Sequence, residues 1–425
     1  MITEQERRER VAVPLDVPFA ESGSLLASPA GPAAVAGGGG EVELSIVMPC
    51  LNEAETLGTC IAKAQRAFAD HAIAGEIVVA DNGSSDGSPE IARRLGARVV
   101  HVAAKGYGSA LMGGIAAARG RYVIMGDADD SYDFLEIPSF LERLREGYDL
   151  VQGCRLESGG GRVMPGAMPF LHRWWGNPMF SALARGWFGA PIHDVYCGMR
   201  GFSKAFYEGL HLRSTGMEFA TEMIIRASLT RSRIAEVPIT LHPDGRTAHP
   251  PHLKTFRDGW RTLRFFLLYS PRWLFMMPGL ALILFGIVGY AVTMPALTLR
   301  GINFDVHTML VASLAIIAGY QSLAFAVSTK LYAVSHGLLP DDDRLSRLLE
   351  YVHLERGLVA GVVLVLAGLV LLGVAVNQWR LADFGSLDYA VTMRWVIPGV
   401  TLTMLGVQTV LTSFFLAIFG TRPSA

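Results

Sequence analysis

The chain has 425 residues, of which 51% are hydrophobic and 18% are charged, and its formal net charge is −1. A mean hydropathy of +0.34 excludes an ordinary soluble protein, and the charged fraction excludes a chain lying wholly within a membrane, so we expect two regions. The near-zero net charge gives no indication of a nucleic-acid partner. The four cysteines lack any Cys-x-x-Cys spacing, which argues against a zinc site or a disulfide framework.

The N-terminal segment, residues 1–43, shows no periodic pattern of apolar residues. It is polar at first and then rich in Ala, Gly and Pro, and four glycines stand at 37–40. No apolar segment follows the basic stretch at 7–10, which differs from a secretory signal peptide. We therefore expect residues 1–43 to form a disordered tail.

Strand-like and helix-like runs alternate after this tail. The predicted strands are 44–48, 76–80, 97–102 and 122–125, and the predicted helices between them are 54–68, 89–95 and 109–118. Pro49 should end the first strand. The alternation predicts an α/β domain over residues 44–250, built on an open, largely parallel sheet with helices on both faces. Ligands of such sheets bind beyond the carboxyl ends of the strands.

Two carboxylates, Asp127 and Asp129, follow directly after the apolar run 122–126. A buried strand there would deliver both side chains to the rim of the sheet. Carboxylates spaced in this way suit a hard divalent cation, which can neutralise a diphosphate leaving group. A chance pair of surface carboxylates is the alternative, and the neighbouring motifs decide between the two.

Other polar motifs are expected at the same edge of the sheet. The turn 81–87 carries Asp81 and Asp86, whose carboxylates can accept from a base N–H or a ribose hydroxyl. A tight turn with a helix cap at Asp86 would have the same sequence. Lys105 precedes a glycine, which allows a cation and the backbone to approach a diphosphate, although a plain β-turn is again an alternative.

In their order and spacing, these motifs resemble the GT-A glycosyltransferases of family 2. The resemblance is carried by Met48–Glu53, Asp81–Asp86, Lys105–Gly108, Asp127–Asp129, Gln152–Arg155 and Cys197–Arg200. With the apolar C-terminal part, the set resembles the polyprenyl-phosphate sugar synthases, such as dolichol-phosphate mannose synthase and the bacterial GtrB-type transferases. The resemblance implies a Rossmann-like domain that moves one sugar, with inversion, from a nucleotide sugar to polyprenyl or dolichyl phosphate. The donor would be UDP-glucose or a similar hexose donor, with GDP-mannose as the alternative.

The resemblance also implies roles for individual residues. The donor nucleotide would be bound by Pro49, Asn52, Glu53, Asp81, Asp86, Lys105, Asp127 and Arg246, the last on a loop that closes over the donor. Asp127 and Asp129 would be catalytic and would hold Mg²⁺ or Mn²⁺. Ser131 stands where the mannose synthases usually carry Gln, which leaves the third metal ligand open and weakens the case for GDP-mannose.

Cations and carboxylates further along the chain match the acceptor side of the family's site. The residues expected at the acceptor phosphate are Arg155, which would also be catalytic, Arg173 and Arg200. Asp194 and Glu222 are candidates for the sugar pocket, and a structural helix glutamate is the alternative for Glu222.

Four segments near the C-terminus contain no Asp, Glu, Lys or Arg and are long enough to cross a bilayer: 273–294, 306–329, 357–376 and 395–420. They predict a multi-pass transmembrane domain over 273–425. Ten Lys and Arg residues flank the side that carries the α/β domain, and three flank the other side, which places the domain in the cytoplasm. Residues 251–272 combine an apolar helical face with arginines, which predicts an amphipathic helix in the membrane interface; a basic linker helix packed on protein is the alternative.

Two other functions are left open by the sequence. A processive polysaccharide synthase of the same fold would resemble its family in a Gln-x-x-Arg-Trp motif, and the nearest match here, at 173–175, lacks the Gln. A transporter or flippase with a regulatory cytoplasmic domain is the non-enzymatic alternative, although the four segments lack the charges that a transport path usually shows. The expected partners are a nucleotide sugar, a polyprenyl-phosphate lipid and the membrane, with a homo-oligomer left open.

Overall fold

The computed structural model describes residues 41–246, 255–295, 298–299, 302–335, 339 and 354–420. The predicted disordered tail therefore lies outside the described residues except for positions 41–43. The end of the predicted α/β domain and the start of the predicted interfacial helix, residues 247–254, also lie outside them.

Residues 41–246, here called the N-terminal domain, alternate between strands and helices. The strands are β1 (Leu44–Cys50), β2 (Gly75–Asp81), β3 (Arg98–His101), β4 (Tyr122–Met125), β5 (Leu150–Cys154), β6 (Arg162–Val163), β7 (Arg200–Ser203), β8 (Ile234–Pro238) and β9 (Thr240–Leu241). The helices are α1 (Leu57–Asp70), α2 (Ser88–Arg94), α3 (Tyr107–Ala117), α4 (Ile137–Arg145), α5 (Asn177–Phe188), α6 (Lys204–Leu210) and α7 (Glu218–Leu229).

Seven strands form one mixed sheet in the order β3-β2-β1-β4-β7-β5-β8. Among the described residues, β7 is the one strand of this sheet that runs antiparallel to its neighbours, β4 and β5. The remaining pairs are parallel, and β6 pairs with β9 in a separate short ladder. The prediction of a largely parallel α/β sheet is confirmed, and β7 is an element that the sequence pattern did not predict.

The first strand continues past its predicted end. Pro49 pairs with Ala80 of β2, and β1 ends at Cys50. The ladder between β1 and β4 stops at Val47, whose carbonyl accepts from Gly126 N at 3.2 Å. Because alternate strand residues face the same neighbour, Pro49 faces β4 beyond the end of that ladder, where its missing N–H removes no bond. The prediction that Pro49 ends β1 was therefore wrong.

The strand side chains form hydrophobic cores on both faces of the sheet. Successive residues of β1 alternate between the two cores: Ile46 packs in the core that includes α1 and α4, whereas Val47 packs in the core that includes α3, α5 and α7. The same alternation separates Ile124 from Val123 in β4. The carboxyl ends of the central strands are thus held between two packed layers, which makes them a rigid platform for a site.

Four long apolar helical segments follow the N-terminal domain. The helices are α8 (Thr255–Tyr269), α9 (Met277–Thr293), α10 (Val306–Ser335), α11 (Leu354–Leu381) and α12 (Tyr389–Gly420), with a π-helical turn (Arg272–Met276) before α9 and a short hairpin of β10 (Thr298–Leu299) and β11 (Ile302–Asn303). The segments Arg272–Thr293, Val306–Ser335, Leu354–Leu381 and Tyr389–Ile418 are long and apolar enough to cross a membrane. The predicted region of four apolar spanning helices is confirmed.

These helices approach one another closely at glycines. A Cβ on Gly279 of α9 would lie 2.9 Å from the carbonyl oxygen of Gly319 of α10. A Cβ on Gly406 of α12 would lie 2.6 Å from the carbonyl oxygen of Gly361 of α11. Small residues at such crossings are typical of helix packing in lipid, where the hydrophobic effect does not drive helices together.

Helix α8 connects the two parts of the chain. Its Phe266 is 0% exposed and packs edge-on against Phe180 and Phe188 of α5. In contrast, Trp260 and Leu268 of α8 are 60% and 58% exposed. The helix therefore has a side packed on protein and an exposed apolar side, so each of the two sequence interpretations describes one side of it.

Candidate functional site

The acidic pair lies directly after β4, at the carboxyl edge of the sheet. Asp127 accepts a hydrogen bond from the Tyr107 hydroxyl at 2.8 Å. Asp129 accepts from the backbone N–H and the hydroxyl of Ser131, at 3.1 and 2.6 Å. Ser131, at the position where the sequence left the third metal ligand open, thus orients Asp129. Each carboxylate is held in place by a neutral donor.

The electrostatics of this pair favour a cation. Burial, together with the negative charge of Asp129, raises the pKa of Asp127 to about 7. A divalent cation would therefore stabilise the ionised form of Asp127, which burial and the neighbouring carboxylate disfavour. Among the described residues, no three His, Cys, Asp or Glu side chains are grouped as a complete metal cage. Two carboxylates fit Mg²⁺ or Mn²⁺, because such cations take their remaining ligands from substrate phosphates and water.

Arg246 lies against the acidic pair, although it is far away in the sequence. Its guanidinium donates to Glu53 Oε1 at 2.9 Å and to Asp129 Oδ2 at 3.2 Å. It also donates from Nε to Asp244 Oδ1 at 2.8 Å, and its side chain is only 10% exposed. The loop that follows β9 therefore brings a buried cation to Asp129.

The loops after β1 and β2 are bonded to each other. Asn52, in a left-handed conformation with φ 61, accepts from Ser85 N at 2.8 Å. Asp81 accepts from Ser84 N at 3.0 Å, and it pairs with His101 Nδ1 at 2.9 Å. Although burial opposes ionisation of Asp81, hydrogen bonds from Ser84 and His101 lower the pKa of its carboxyl group. Asp81 is therefore a fixed anion at this edge.

Asp86 holds the turn rather than projecting from it. Its carboxylate accepts from Ala54 N at 2.9 Å and from the Ser88 hydroxyl at 2.6 Å. The Ser88 hydroxyl in turn accepts from Glu53 N at 2.9 Å. These bonds agree with the turn interpretation of Asp86 and place Glu53, with its bond to Arg246, at the site.

Lys105 lies in the segment Lys105–Gly108, here called the Lys105 loop. Its ammonium group donates to the carbonyl of Asn82 at 2.7 Å, and Gly106 N donates to the Asn82 side chain at 2.9 Å. Gly106 has φ 126, a conformation that favours glycine. The loop thus brings Lys105 to the end of β2 and Tyr107 to the end of β4.

The three predicted acceptor arginines have different environments. Arg155 makes a two-bond ion pair with Asp194, at 2.7 and 2.9 Å, and the two side chains are 10% and 0% exposed. Arg173 is 28% exposed and donates to Glu157 at 2.5 Å. Asp194 is therefore the partner of an arginine rather than a group that faces open space.

Arg200 is fully buried. It donates to the carbonyls of Cys197, at 2.7 Å, and Ala220, and burial lowers the pKa of its guanidinium group. Its complete burial separates Arg200 from the surface that Arg173 reaches, and its bonds to two carbonyls indicate a structural role.

Two site residues were missed by the sequence analysis. Tyr107 contacts Asp127 directly, and its position between two glycines of a recognised motif was a usable signal. Tyr132 accepts from Gly198 N at 2.7 Å, and a Cβ on Gly198 would lie 2.8 Å from Asp127 Oδ2. No local pattern predicts that second contact, because its partners are far apart in the sequence.

Glu136 ends the short helical turn Phe134–Glu136, which follows the acidic pair, and joins that turn to β9. Its Oε1 accepts from Thr240 N at 3.1 Å, whereas Oε2 is buried and has no hydrogen-bond partner among the described residues. Burial raises the pKa of Glu136 from 4.5 to about 7, although the bond from Thr240 opposes this shift. The protonated form therefore contributes stability that is fully present below pH 4.5 and is lost as the pH rises through about 7.

Glu136→Gln should consequently be more thermostable than the parent protein at neutral and alkaline pH. Gln keeps an acceptor for Thr240 and removes the buried charge, and after allowance for partial solvent screening the gain is about 1 kcal/mol. The apparent Tm should rise by roughly 2–4 °C at about pH 8, and the difference should shrink as the pH falls toward the ordinary carboxyl pKa. A constant difference from acid to alkaline pH would contradict this account.

The sequence is similar to those of known glycosyltransferases. Residues 45–210 match the model of the glycosyl transferase family 2, and residues 327–420 match that of the glycosyltransferase family 2 C-terminal transmembrane region. The low-salt glycan biosynthesis hexosyltransferase Agl6 of Haloferax volcanii is 38% identical over 379 residues, 89% of each chain. The dolichyl-phosphate hexose transferase of the same organism is 36% identical over 198 residues, 46% of this chain and 82% of its own.

Among solved structures, the glucosyl-3-phosphoglycerate synthase of Mycobacterium tuberculosis, crystallised with Mn²⁺, UDP and glucosyl-3-phosphoglycerate, covers 53% of this chain and 78% of its own. Its identity is 24% and its TM-score is 0.42, a similarity too low to support a functional conclusion. The similarity to Agl6 over most of both chains does support one. The chain therefore belongs to glycosyltransferase family 2 and is an integral membrane glycosyltransferase.

Proposed function

We propose that this enzyme transfers one hexose from a nucleotide sugar to the phosphate of a membrane polyprenol, such as dolichyl phosphate. The observation that carries the proposal is the acidic pair, Asp127 and Asp129, at the edge of a sheet whose domain is packed on a helix leading into the membrane spans. The name of the Haloferax relative, a dolichyl-phosphate hexose transferase, supports the same acceptor. UDP-glucose or a similar hexose donor is the preferred donor, with GDP-mannose as the alternative.

On the donor side, Asp127 and Asp129 would hold Mg²⁺ or Mn²⁺. A cation bound there neutralises charge on the diphosphate of the donor. Arg246 supplies further positive charge close to Asp129, Lys105 supplies it at the end of β2, and Tyr107 keeps Asp127 in its orientation. The fixed anion Asp81 accepts hydrogen bonds already, and its place at the end of β2 suits recognition of a base N–H.

The acceptor needs charge compensation rather than a strong base, because a phosphate oxygen is already anionic at neutral pH. Arg155 lowers the electrostatic cost of bringing that anion toward the acidic pair, since its positive charge acts on Asp127. Position and charge should therefore provide most of the catalysis. In-line attack by the phosphate oxygen would invert the anomeric centre.

An exposed aromatic turn indicates how the lipid approaches. Around the π-helical turn His172–Gly176, Phe170, Trp174 and Trp175 are 74%, 56% and 68% exposed. Aromatic side chains in such numbers suit the boundary between lipid and water. Arg173 lies in the middle of this turn, where a lipid phosphate would meet it. The positively charged flanks of the apolar segments support a cytoplasmic position for this side of the membrane.

The turn is tied to the membrane helices through α5. Trp187 of α5 stacks on Trp273, at the start of the first spanning segment, with ring centres 5.5 Å apart. The same tryptophan contacts Phe266 of α8 at 6.3 Å. These contacts support a position of the aromatic turn close to the bilayer surface.

Arg173→Ala should raise the KM for polyprenyl phosphate about tenfold or more, because a charge-assisted contact to phosphate is lost. The donor KM should change by less than about twofold. Initial rates in detergent-lipid micelles, with each substrate varied in turn, measure both constants. Arg162→Ala, which removes an exposed arginine from β6, is the matched control and should leave both constants unchanged. A larger rise in the donor KM than in the acceptor KM would contradict the assignment.

The proposed reaction is tested with a panel of radiolabelled nucleotide sugars. Purified enzyme is incubated with each donor, polyprenyl phosphate and Mg²⁺ or Mn²⁺, and the lipid products are separated by thin-layer chromatography. One donor should give a lipid-linked sugar, and Asp127→Asn should abolish it. Absence of any lipid-linked product across the panel would contradict the proposal and favour a non-enzymatic role.

A further inference from the structure

Glu222 of α7 is completely buried, and its carboxylate accepts four hydrogen bonds. Its Oε2 accepts from the backbone N–H groups of Arg213 and Ser214, at 3.0 and 2.8 Å. Its Oε1 accepts from Arg226 Nε at 3.0 Å and from the Tyr269 hydroxyl at 3.1 Å. With all four donors in place, this carboxylate offers no open face to a sugar, so it connects separate parts of the fold.

One of these parts is the helix that leads into the membrane. Tyr269 is the last residue of α8, and the first apolar segment begins shortly afterwards, at Arg272. The Tyr269 ring stacks on Phe265 of the same helix, with ring centres 4.5 Å apart. The hydroxyl of Tyr269 therefore ties the end of α8 to Glu222.

The other part is the segment Arg213–Gly216, which lies on the Lys105 loop. The carbonyl of Thr215 accepts from Ser109 N at 3.1 Å. A Cβ on Gly106 would collide with the same Thr215 oxygen, and a Cβ on Gly108 would collide with the carbonyl of Ser214. Because the two backbones are in direct contact, the segment cannot move without moving the Lys105 loop.

The Lys105 loop in turn holds the donor side of the site. Tyr107 donates to Asp127 at 2.8 Å, and the neighbouring Gly106 and Lys105 both donate to Asn82, at the end of β2. A continuous set of bonds thus runs from α8 through Glu222 and the segment Arg213–Gly216 to the acidic pair.

We propose that Glu222 and Tyr269 are positioning residues. They couple the position of the C-terminal end of α8, next to the membrane, to the geometry of the donor diphosphate site. The proposal rests on the proposed function for the identity of that site. The coupling requires no contact between Glu222 and either substrate. It predicts that loss of the Tyr269 hydroxyl weakens donor binding, although that hydroxyl belongs to a different element from the site.

Tyr269→Phe tests the coupling with a small change, since the aromatic ring and its stacking are retained. In the full-length protein in lipid nanodiscs, the Kd for Mg²⁺ with UDP or GDP, whichever binds the parent, should rise about threefold to tenfold, and the donor KM should rise in parallel. The acceptor KM should change by less than about twofold. Hydrogen–deuterium exchange should increase in peptides covering 106–115 and 213–216, with no change in peptides of β1.

Tyr207→Phe is the matched control. Tyr207 packs in the same core: burial, together with the charge of Glu222, raises the pKa of its hydroxyl to about 12, and its ring stacks on Phe202 with ring centres 5.5 Å apart. This variant makes the same chemical change in the same core and should leave both Kd and exchange unchanged. Glu222→Gln, which disturbs both sets of bonds, should produce a larger change than Tyr269→Phe in the same two measurements.

The possible results separate this inference from the proposed reaction. If both Tyr variants lower the Tm equally and change exchange throughout the domain, Glu222 only stabilises the core and the coupling is wrong. If transferase activity is present but Tyr269→Phe leaves the donor Kd and the exchange of 106–115 unchanged, the coupling is also wrong. If no nucleotide sugar is turned over and yet the exchange of 106–115 increases selectively, the coupling is supported and the proposed reaction fails.

Discussion

Asp129→Asn is expected to lower kcat by about 10²–10³-fold, because it removes one of the two charges available to a cation at the donor diphosphate. Asn keeps an oxygen that can accept from Ser131, so the turn after β4 should persist. It also leaves Arg246 with one fewer anionic partner. Initial rates measured over a titration of Mg²⁺ and Mn²⁺ would show both the lower kcat and a weaker dependence on the metal.

Asp130→Asn makes the same chemical change at the next residue and is the matched control. Asp130 points to Lys63 instead of the acidic pair, at 2.8 Å, and its positive φ of 59 is one that asparagine tolerates. This variant should keep kcat within about twofold of the parent, because the partly exposed pair with Lys63 lies outside the acidic pair and contributes little. Equal losses of activity at positions 129 and 130 would show that both substitutions disturb the fold of the segment after β4, and that Asp129 has no separate role at the metal.

Arg155→Met is expected to destabilise the protein by about 3–5 kcal/mol, because it leaves the buried Asp194 without its ion-pair partner. Asp194 is 0% exposed, so water cannot replace the two bonds from the guanidinium. The apparent Tm should fall by roughly 6–20 °C. Transfer activity should also fall, since the positive charge near Asp127 is lost.

The double variant Arg155→Met, Asp194→Asn separates stability from catalysis. Asn removes the uncompensated buried charge, has nearly the volume of Asp and keeps an oxygen that can accept from the backbone N–H of residue 155, so most of the loss in Tm should be recovered. Activity should stay low, because the cation near the acidic pair is still absent. Recovery of both Tm and activity would show that Arg155 has only a structural role and would remove it from the proposed acceptor site.

The sequence predicted those parts of the fold whose signals are local. Alternation of apolar runs was sufficient for β1 to β4 and the helices between them, and the two carboxylates after β4 could be assigned to a sheet edge. The antiparallel β7 has the sequence Arg-Gly-Phe-Ser, so it lacks the apolar run that identified the equally short β4. Pro49 was misread because the effect of a proline depends on which neighbouring strand it faces.

The pairing of charged side chains was beyond local reasoning. Arg155 meets Asp194 across 39 positions of sequence, and Arg246 meets Asp129 across 117 positions. Such partners are decided by packing rather than by spacing, which is why Asp194 was assigned to a sugar and Arg200 to a phosphate. Glu222 illustrates the same limit, since its four donors come from three separate elements.

If the enzyme joins one sugar to one lipid phosphate, the product has a fixed composition. A double-label experiment measures it, with a ¹⁴C-labelled donor sugar and ³²P-labelled polyprenyl phosphate, by counting both labels in the purified lipid product. We expect equal amounts of sugar and phosphate in the product, with an equal amount of nucleoside diphosphate released. Several sugars per phosphate, or labelled sugar in a polymer that carries no lipid phosphate, would contradict it.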